Sequence, residues 1–272
     1  MNVLLVGLGR WGEKHLRVLA ELGATVWVAD VVPERLAWAI RHGVAPSQAV
    51  AEYRSVLGAV DAVDVVTPAE SHWSIARSCL AAGRIGAVRY ATGRFSGFKR
   101  PRVDVGVTQT DAIHYFDLFA YLFDREATRV NALQRDFLGR GLDDLSVTVV
   151  HYGAVPAVVE ANYFVPGTWR ECVIVGEHGT LVADYGASCV TLHLGEHRRH
   201  GAAWEAVETG KEELPTGRDE PLRLELEAFL HACAGRAANP VPAAAGVRAL
   251  EIVEAAERSA RLGGDVALPL ES

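Results

Sequence analysis

The chain has 272 residues, half of them hydrophobic and 22% charged, with a net charge of −7. That balance fits a soluble globular protein of one large or two modest domains, and a mildly acidic chain offers no overall footprint for nucleic acid. No apolar run reaches membrane-spanning length, the first motif leaves no room for a secretory leader, and Cys79, Cys172, Cys189 and Cys233 lack zinc or disulfide spacing, so a cytoplasmic setting is expected.

Asn2 to Val6 is an apolar run that leads at once into Gly7-Leu8-Gly9-Arg10-Trp11-Gly12 and a helical pattern from Glu13 to Leu22. A G-x-G-x-x-G is weak alone, but here it stands between strand and helix, the setting its chemistry requires. Gly7 permits the tight turn, Gly9 lets a pyrophosphate approach the backbone, and Gly12 lets the helix pack close to the strand. Free N–H groups at the helix start then face the phosphates, so Gly7, Leu8, Gly9, Arg10, Trp11 and Gly12 form the expected dinucleotide cradle. A second strand, Thr25 to Ala29, ends at Asp30, where a carboxylate accepts ribose hydroxyls and repels a 2′-phosphate. NAD is therefore expected over NADP.

Pro33 opens a helix to about His42; a short strand around Val44 and a helix from Gln48 to Leu57 are expected next. Ala62 to Val66 reads as a buried strand ending in Thr67-Pro68, and Ser71 begins a helix to Ala82. This alternation predicts a parallel sheet with right-handed crossovers, whose ligands bind at the carboxyl ends of the strands. Thr67 and Pro68 fall there, and His72 lies near a helix start beside the expected nicotinamide ribose.

From Arg84 the pattern changes. Val88 to Phe95 alternates as a strand, a basic loop Lys99-Arg100-Pro101-Arg102 follows, and Thr108 to Phe123 is an aromatic-rich helix. Strand-like runs then succeed one another: Arg129 to Arg135, Ser146 to Tyr152, Ala157 to Tyr163, Arg170 to Gly176, Thr180 to Tyr185 and Val190 to Leu194. They predict an open, mainly antiparallel sheet whose uncovered face favours a homodimer or homotetramer. Residues 195–220 read as a charged loop, and helices from Glu220 to Cys233 and Gly246 to Leu262 complete the chain.

The glycine turn with His15, Asp30, Thr67-Pro68-Ala69-Glu70-Ser71-His72, Gly86-Ala87-Val88, the Asp104 to Asp117 segment and Val175-Gly176-Glu177-His178-Gly179-Thr180 together resemble the glucose-fructose oxidoreductase and inositol dehydrogenase (Gfo/Idh/MocA) family. Within it the middle segment is most similar to nucleotide-sugar dehydrogenases such as UDP-N-acetylglucosamine 3-dehydrogenases. The resemblance implies an α/β fold. A shortened Rossmann-type doubly wound parallel sheet over residues 1–84 is followed by an α+β domain, 85–272, with a large mainly antiparallel sheet. It also implies a departure: where relatives insert a Glu-Lys-Pro motif and two βα units, this chain runs from Gly83 straight into Arg84-Ile85-Gly86, losing the lysine that assists proton transfer.

Oxidising a hydroxyl needs a base, and histidine suits that role at neutral pH. His114 lies three residues from Asp111 and from Asp117 on one predicted helix, either as that base or as a core histidine beside a cap. Lys14, Lys99 and Lys211 are the only lysines. Lys99 either replaces the lost lysine or joins Arg100 and Arg102 in a diphosphate patch. Tyr163 and Arg170, with Trp169, line a sugar pocket or pack at a sheet edge. No metal is expected, because the histidines at 193, 197 and 200 lack a spaced acidic or thiolate partner. Two functions follow from the resemblance: an NAD(P)-dependent oxidoreductase acting on a sugar or nucleotide-sugar hydroxyl, or a nucleotide-binding relative without catalysis that serves as sensor or assembly partner.

Overall fold

The computed structural model describes residues 1–65, 80, 83–187, 189–214 and 220–271. Apart from Leu80, the expected helix over 71–82 lies outside them, as do Thr67, Pro68 and His72. The chain forms two compact units: residues 1–71 with 218–240, and residues 72–217 with 241–272.

The first unit holds β1 (Asn2–Val6), α1 (Arg10–Glu21), β2 (Thr25–Ala29), α2 (Pro33–Arg41), β3 (Ala49–Val50) and β4 (Ala62–Val65). Its sheet runs in the order β3-β2-β1-β4, with every pair parallel. Val3 and Leu5 on one face of β1 pack with Leu16, Val18 and Leu19 of α1, whereas Leu4 turns to the other face with Ala29 and Val56. Two expectations fail between α2 and β4. Val44 is buried in a turn, its N–H donating to Ala39 O at 3.1 Å, and the strand comes later, at Ala49–Val50, because Pro46 first starts a 3-10 turn. Tyr53–Ala59 is likewise a 3-10 turn rather than a helix from Gln48, opened by Glu52, whose side chain accepts from Arg54 N.

The boundary expected at residue 84 differs from the observed division for a physical reason. Helix Pro221–Cys233 buries Leu222 and Leu226 in the first unit's core, beside α1. Ion pairs Arg223–Glu21 (3.1 Å) and Arg17–Glu220 reinforce that packing. Conversely, Ile85 lies in the core of the second unit.

The second unit is built on β5 (Val88–Gly97), α3 (Ile113–Phe123), β6 (Arg129–Arg135), β7 (Leu145–Tyr152), β8 (Val155–Asn162), β9 (Thr168–Gly176), β10 (Gly179–Asp184), β11 (Cys189–His200) and β12 (Ala203–Leu214). The helix of the preceding paragraph is α4; α5 (Ala243–Leu262) and β13 (Val266–Ala267) follow. Nine strands run in the order β12-β11-β10-β9-β5-β8-β7-β6-β13, antiparallel except for β5 beside β8. One face meets α3 and α5, where Phe116, Phe119, Tyr152, Ile252 and Val253 are buried. Two-residue periodicity leaves the other face half-buried, with Val149, Val158, Val173 and Val182 along it.

Two further corrections concern this unit. Residues 195–214 are not a loop: β11 and β12 continue as a long hairpin turning at Gly201 (φ +63°), with His200 and Glu205 facing across it at 3.3 Å. Thr108–Ala112 is a π-helical turn preceding α3, not its first α turn.

Candidate functional site

The glycine turn takes the expected shape. Gly7 sits at φ +95°, a conformation costly for side chains with a Cβ, and its N–H donates to Ala29 O at 2.9 Å. A Cβ at Gly12 would lie 2.0 Å from Gly7 O, so helix and strand approach as closely as they do only because none is there. A Cβ at Gly9 would meet nothing within 4 Å; the surface above the turn is open. Gly9 begins α1 without a side-chain cap, and the first intrahelical bond is Glu13 N to Gly9 O at 3.1 Å. The amides of Arg10, Trp11 and Gly12 thus precede the helical ladder, with the positive end of the helix dipole behind them. These residues fit a dinucleotide's pyrophosphate.

Asp30 is buried at the end of β2. It accepts from Leu8 N (2.7 Å), Val32 N (2.9 Å) and Arg35 Nη1 (3.3 Å). Burial pushes its carboxyl up, but those hydrogen bonds outweigh it and hold the pKa below the ordinary value. A carboxylate accepts about four hydrogen bonds, so Asp30 keeps capacity for a ribose hydroxyl. Leu8 contributes its backbone alone, since its side chain is core. Arg10 and Trp11 are exposed, and Lys14 Nζ lies 4.2 Å over the Trp11 ring. One pair escaped the sequence: His15 Nδ1 meets Asp64 Oδ2 at 2.9 Å inside the unit, a partnership between α1 and β4 that spacing cannot reveal.

The second unit gathers a different chemistry where β5 meets the turn before α3. Lys99 Nζ donates to Asp111 Oδ2 at 2.6 Å. Burial raises the Asp111 carboxyl above its ordinary value against the pull of Lys99, Arg170 and His114. Burial likewise lowers the His114 imidazole below its ordinary value, against the attraction of Asp111 and Asp117. His114 is therefore neutral at pH 7 and able to accept a proton. Asp117, one turn on, is raised by burial, opposed by His114 and Arg248.

Phe95 organises this cluster and was missed in the sequence, where it read only as a strand residue. Its ring centroid lies 5.8 Å from His114, Lys99 Nζ sits 4.8 Å over it, and Arg170 stacks on it at 3.3 Å. Arg170 faces Phe95 directly across the β5–β9 register. Tyr163 joins through its hydroxyl, 3.0 Å from Thr110 Oγ1, with Lys99 5.4 Å over its ring. Tyr115 hydroxyl donates to Arg94 O at 2.9 Å, and its ring occupies the space a Cβ on Gly93 would need, 2.4 Å away. Arg140 was missed too: its ion pair with fully buried Asp144 and its 2.5 Å bond to Arg102 O tie the loop after β6 to the basic loop.

The basic loop does not act as one patch. Lys99 turns inward to Asp111, while Arg102 grips Asp104 through two bonds of 2.9 and 2.6 Å and holds that exposed carboxyl down at about 2. Arg100 stays exposed. No cluster of metal-ligating residues occurs among the described residues.

A backbone cradle for a dinucleotide's diphosphate and a neutral histidine held among acid and base are the equipment of a dinucleotide-dependent oxidoreductase. Residues 1–88 match the model for the oxidoreductase family with NAD-binding Rossmann fold, and residues 73–182 match that of the GFO/IDH/MocA C-terminal domain. The chain belongs to the Gfo/Idh/MocA family of NAD-binding oxidoreductases. No curated protein sequence matches it.

Solved structures share the fold at low identity. UDP-N-acetylglucosamine 3-dehydrogenase from Acidithiobacillus ferrooxidans is 19% identical, with TM-score 0.76, over 96% of this chain and 98% of that one. The WlbA dehydrogenase from Bordetella pertussis, in complex with NADH and UDP-GlcNAcA, is 18% identical, with TM-score 0.74, over 100% and 99%. Aldose-aldose oxidoreductase from Caulobacter crescentus, complexed with glycerol, is 16% identical, with TM-score 0.81, over 98% and 99%.

Proposed function

We propose that this chain moves a hydride between a ring hydroxyl of a sugar or nucleotide-sugar and the nicotinamide of NAD, with His114 as acid and base. The observation that carries the proposal is the neutral, half-buried His114 flanked by Asp111 and Asp117, in a chain whose first 88 residues match an NAD-binding model. The structural relatives named above act on or bind sugars and nucleotide-sugars, which supports that substrate class.

The first-unit cradle would hold the dinucleotide, with Gly7 to Gly12 at the diphosphate and Asp30 at the adenosine ribose; Thr67, Pro68 and His72 are assigned to its nicotinamide half. When bound, it supplies the hydride acceptor or donor. In the oxidative direction His114 takes the hydroxyl proton as the carbon loses its hydride, and it returns that proton in reduction. Asp111 and Asp117 favour the imidazolium that forms. Lys99, held by Asp111 at 2.6 Å, occupies the role of the missing motif lysine as a donor to the substrate oxygen. Tyr163 and Arg170 contact the sugar, and Arg100 and Arg102 remain candidates for the diphosphate of a nucleotide-sugar. Asp30 favours NAD over NADP. The half-exposed valines along β7, β8, β9 and β10 favour a homodimer or homotetramer joined through that sheet face, and the protein's site of action is proposed to be the cytoplasm.

The test is NADH formation with a panel of sugars and nucleotide-sugars, run beside His114→Ala. No NADH with any substrate, or equal rates in the variant, would sink the proposal. Calorimetry separates it from a non-catalytic nucleotide binder, which would take ADP-ribose as tightly as NAD.

A further inference from the structure

We infer that the substrate carries an anionic group, a carboxylate or a phosphate, on the sugar ring itself, and that Arg170 is the residue that selects it. This rests on the sugar reading above and narrows it.

Arg170 is half-buried and lies flat on Phe95, its guanidinium carbon 3.3 Å from the ring centroid. Two main-chain carbonyls hold one end of the guanidinium: Nη1 donates to Ser96 O at 3.0 Å and to Trp169 O at 2.7 Å. Nε and Nη2 make no hydrogen bond among the described residues, and neither is sealed from solvent without a partner. No carboxylate pairs with Arg170 among the described residues, although the buried carboxylate beside it, Asp111, is bound by Lys99. Two cations therefore share the Phe95 ring while one carboxylate serves them.

A guanidinium that is stacked, oriented and partly stripped of water, yet in direct contact with no carboxylate among the described residues, has paid its ordering cost in advance. Its two remaining nitrogens present the fork that matches a carboxylate or phosphate. Phe95 contacts both groups: Arg170 lies on its ring, and the His114 ring centroid is 5.8 Å from it. An anion seated on Arg170 thus belongs to the ring whose hydroxyl His114 serves, rather than to a nucleotide several bonds away.

The test measures binding by calorimetry without NAD, using two matched pairs, glucuronate with glucose and UDP-glucuronate with UDP-glucose, and glucose 6-phosphate besides. The wild-type protein should bind the acid of at least one pair, or the phosphate, at least tenfold more tightly than its neutral partner. In Arg170→Gln that preference should vanish, a loss of about tenfold to a hundredfold for the anion, as expected for a hydrogen bond to a charged group. Binding of glucose or UDP-glucose should fall much less than binding of the matched acid. Arg170→Lys, which keeps the charge and loses the fork, should retain an intermediate preference, and thermal melts of both variants report folding. Equal binding of acid and neutral sugars, a preference that survives in Arg170→Gln, or no binding of any acidic probe would overturn the inference. Preference for the acid with no NADH formed would leave the anion site standing while the oxidoreductase reading falls; NADH formed equally from both sugars would do the reverse.

Discussion

Replacing Lys99 with Met tests whether the cation and Asp111 are a working pair. The substitution removes an ammonium 2.6 Å from a buried carboxylate and leaves a side chain of similar length. Breaking a buried pair by deleting one partner costs about 3–5 kcal/mol. Lys99 is a third exposed, so water replaces part of the lost attraction and about 1–3 kcal/mol is expected at neutral pH. The pH dependence follows from the Asp111 carboxyl, which burial already raises and which loses its main restraint with Lys99. A folded-state pKa raised above the unfolded value contributes stability below the unfolded pKa and loses it as pH rises through the folded one. The variant should therefore be weakest relative to wild type at pH 7.5, with the gap narrowing at pH 4.5 as Asp111 takes up a proton. Urea unfolding of wild type, Lys99→Met, Asp111→Asn and the double variant at both pH values supplies the cycle. A coupling below about 0.5 kcal/mol, or a gap that is constant or widens on acidification, would refute the pairing.

Other outcomes follow from the same geometry. His114→Ala should lower kcat by about a hundredfold to ten-thousandfold. Since the imidazole titrates below its ordinary value and only its neutral form accepts a proton, the acidic limb of kcat/KM should fall below pH 6.5; a limb above that value would contradict it. Asp30→Ser removes the charge that opposes a 2′-phosphate and releases Arg35, so the ratio of NADP to NAD affinity, measured by fluorescence titration, should rise at least about tenfold. Gly106→Ala would place a Cβ 1.5 Å from Asp143 Oδ1 and push that carboxylate off Thr108, costing about 1–3 kcal/mol in denaturant unfolding, whereas an unchanged midpoint would show that the loop yields freely. Val173→Asp on the half-buried sheet face should shift the sedimenting species toward monomer if copies meet there.

Much of this was legible in the chain because the signals were local. The strand, glycine turn, helix and acid of residues 2–30 are contiguous, and each glycine answers a short-range steric demand. The strands from Arg129 to Asp184 declare themselves through two-residue alternation with one dry face. The hairpin beyond Leu194 did not, since β12 is exposed on both faces and carries charge where alternation would have been read. Phe95 was silent for another reason, since cross-strand register alone sets it against Arg170, far along the chain; Arg140 and Asp144 are only four residues apart but lie in no helix whose spacing would pair them. The pairing of Lys99 with Asp111, against a shared phosphate role with Arg102, was likewise decided by which carboxylate each cation could reach.

The return of α4 to the first unit bears on how the chain is made. The nucleotide cradle is encoded in residues 2–30, yet its supporting core lacks Leu222 and Leu226 until translation has passed residues 72–217, the larger part of the second unit. Each such leucine contributes about 1.5–3 kcal/mol, a sizeable share of a small unit's margin. The core of the amino-terminal segment is thus complete only once α4 is in place, and the late helix acts as its clasp.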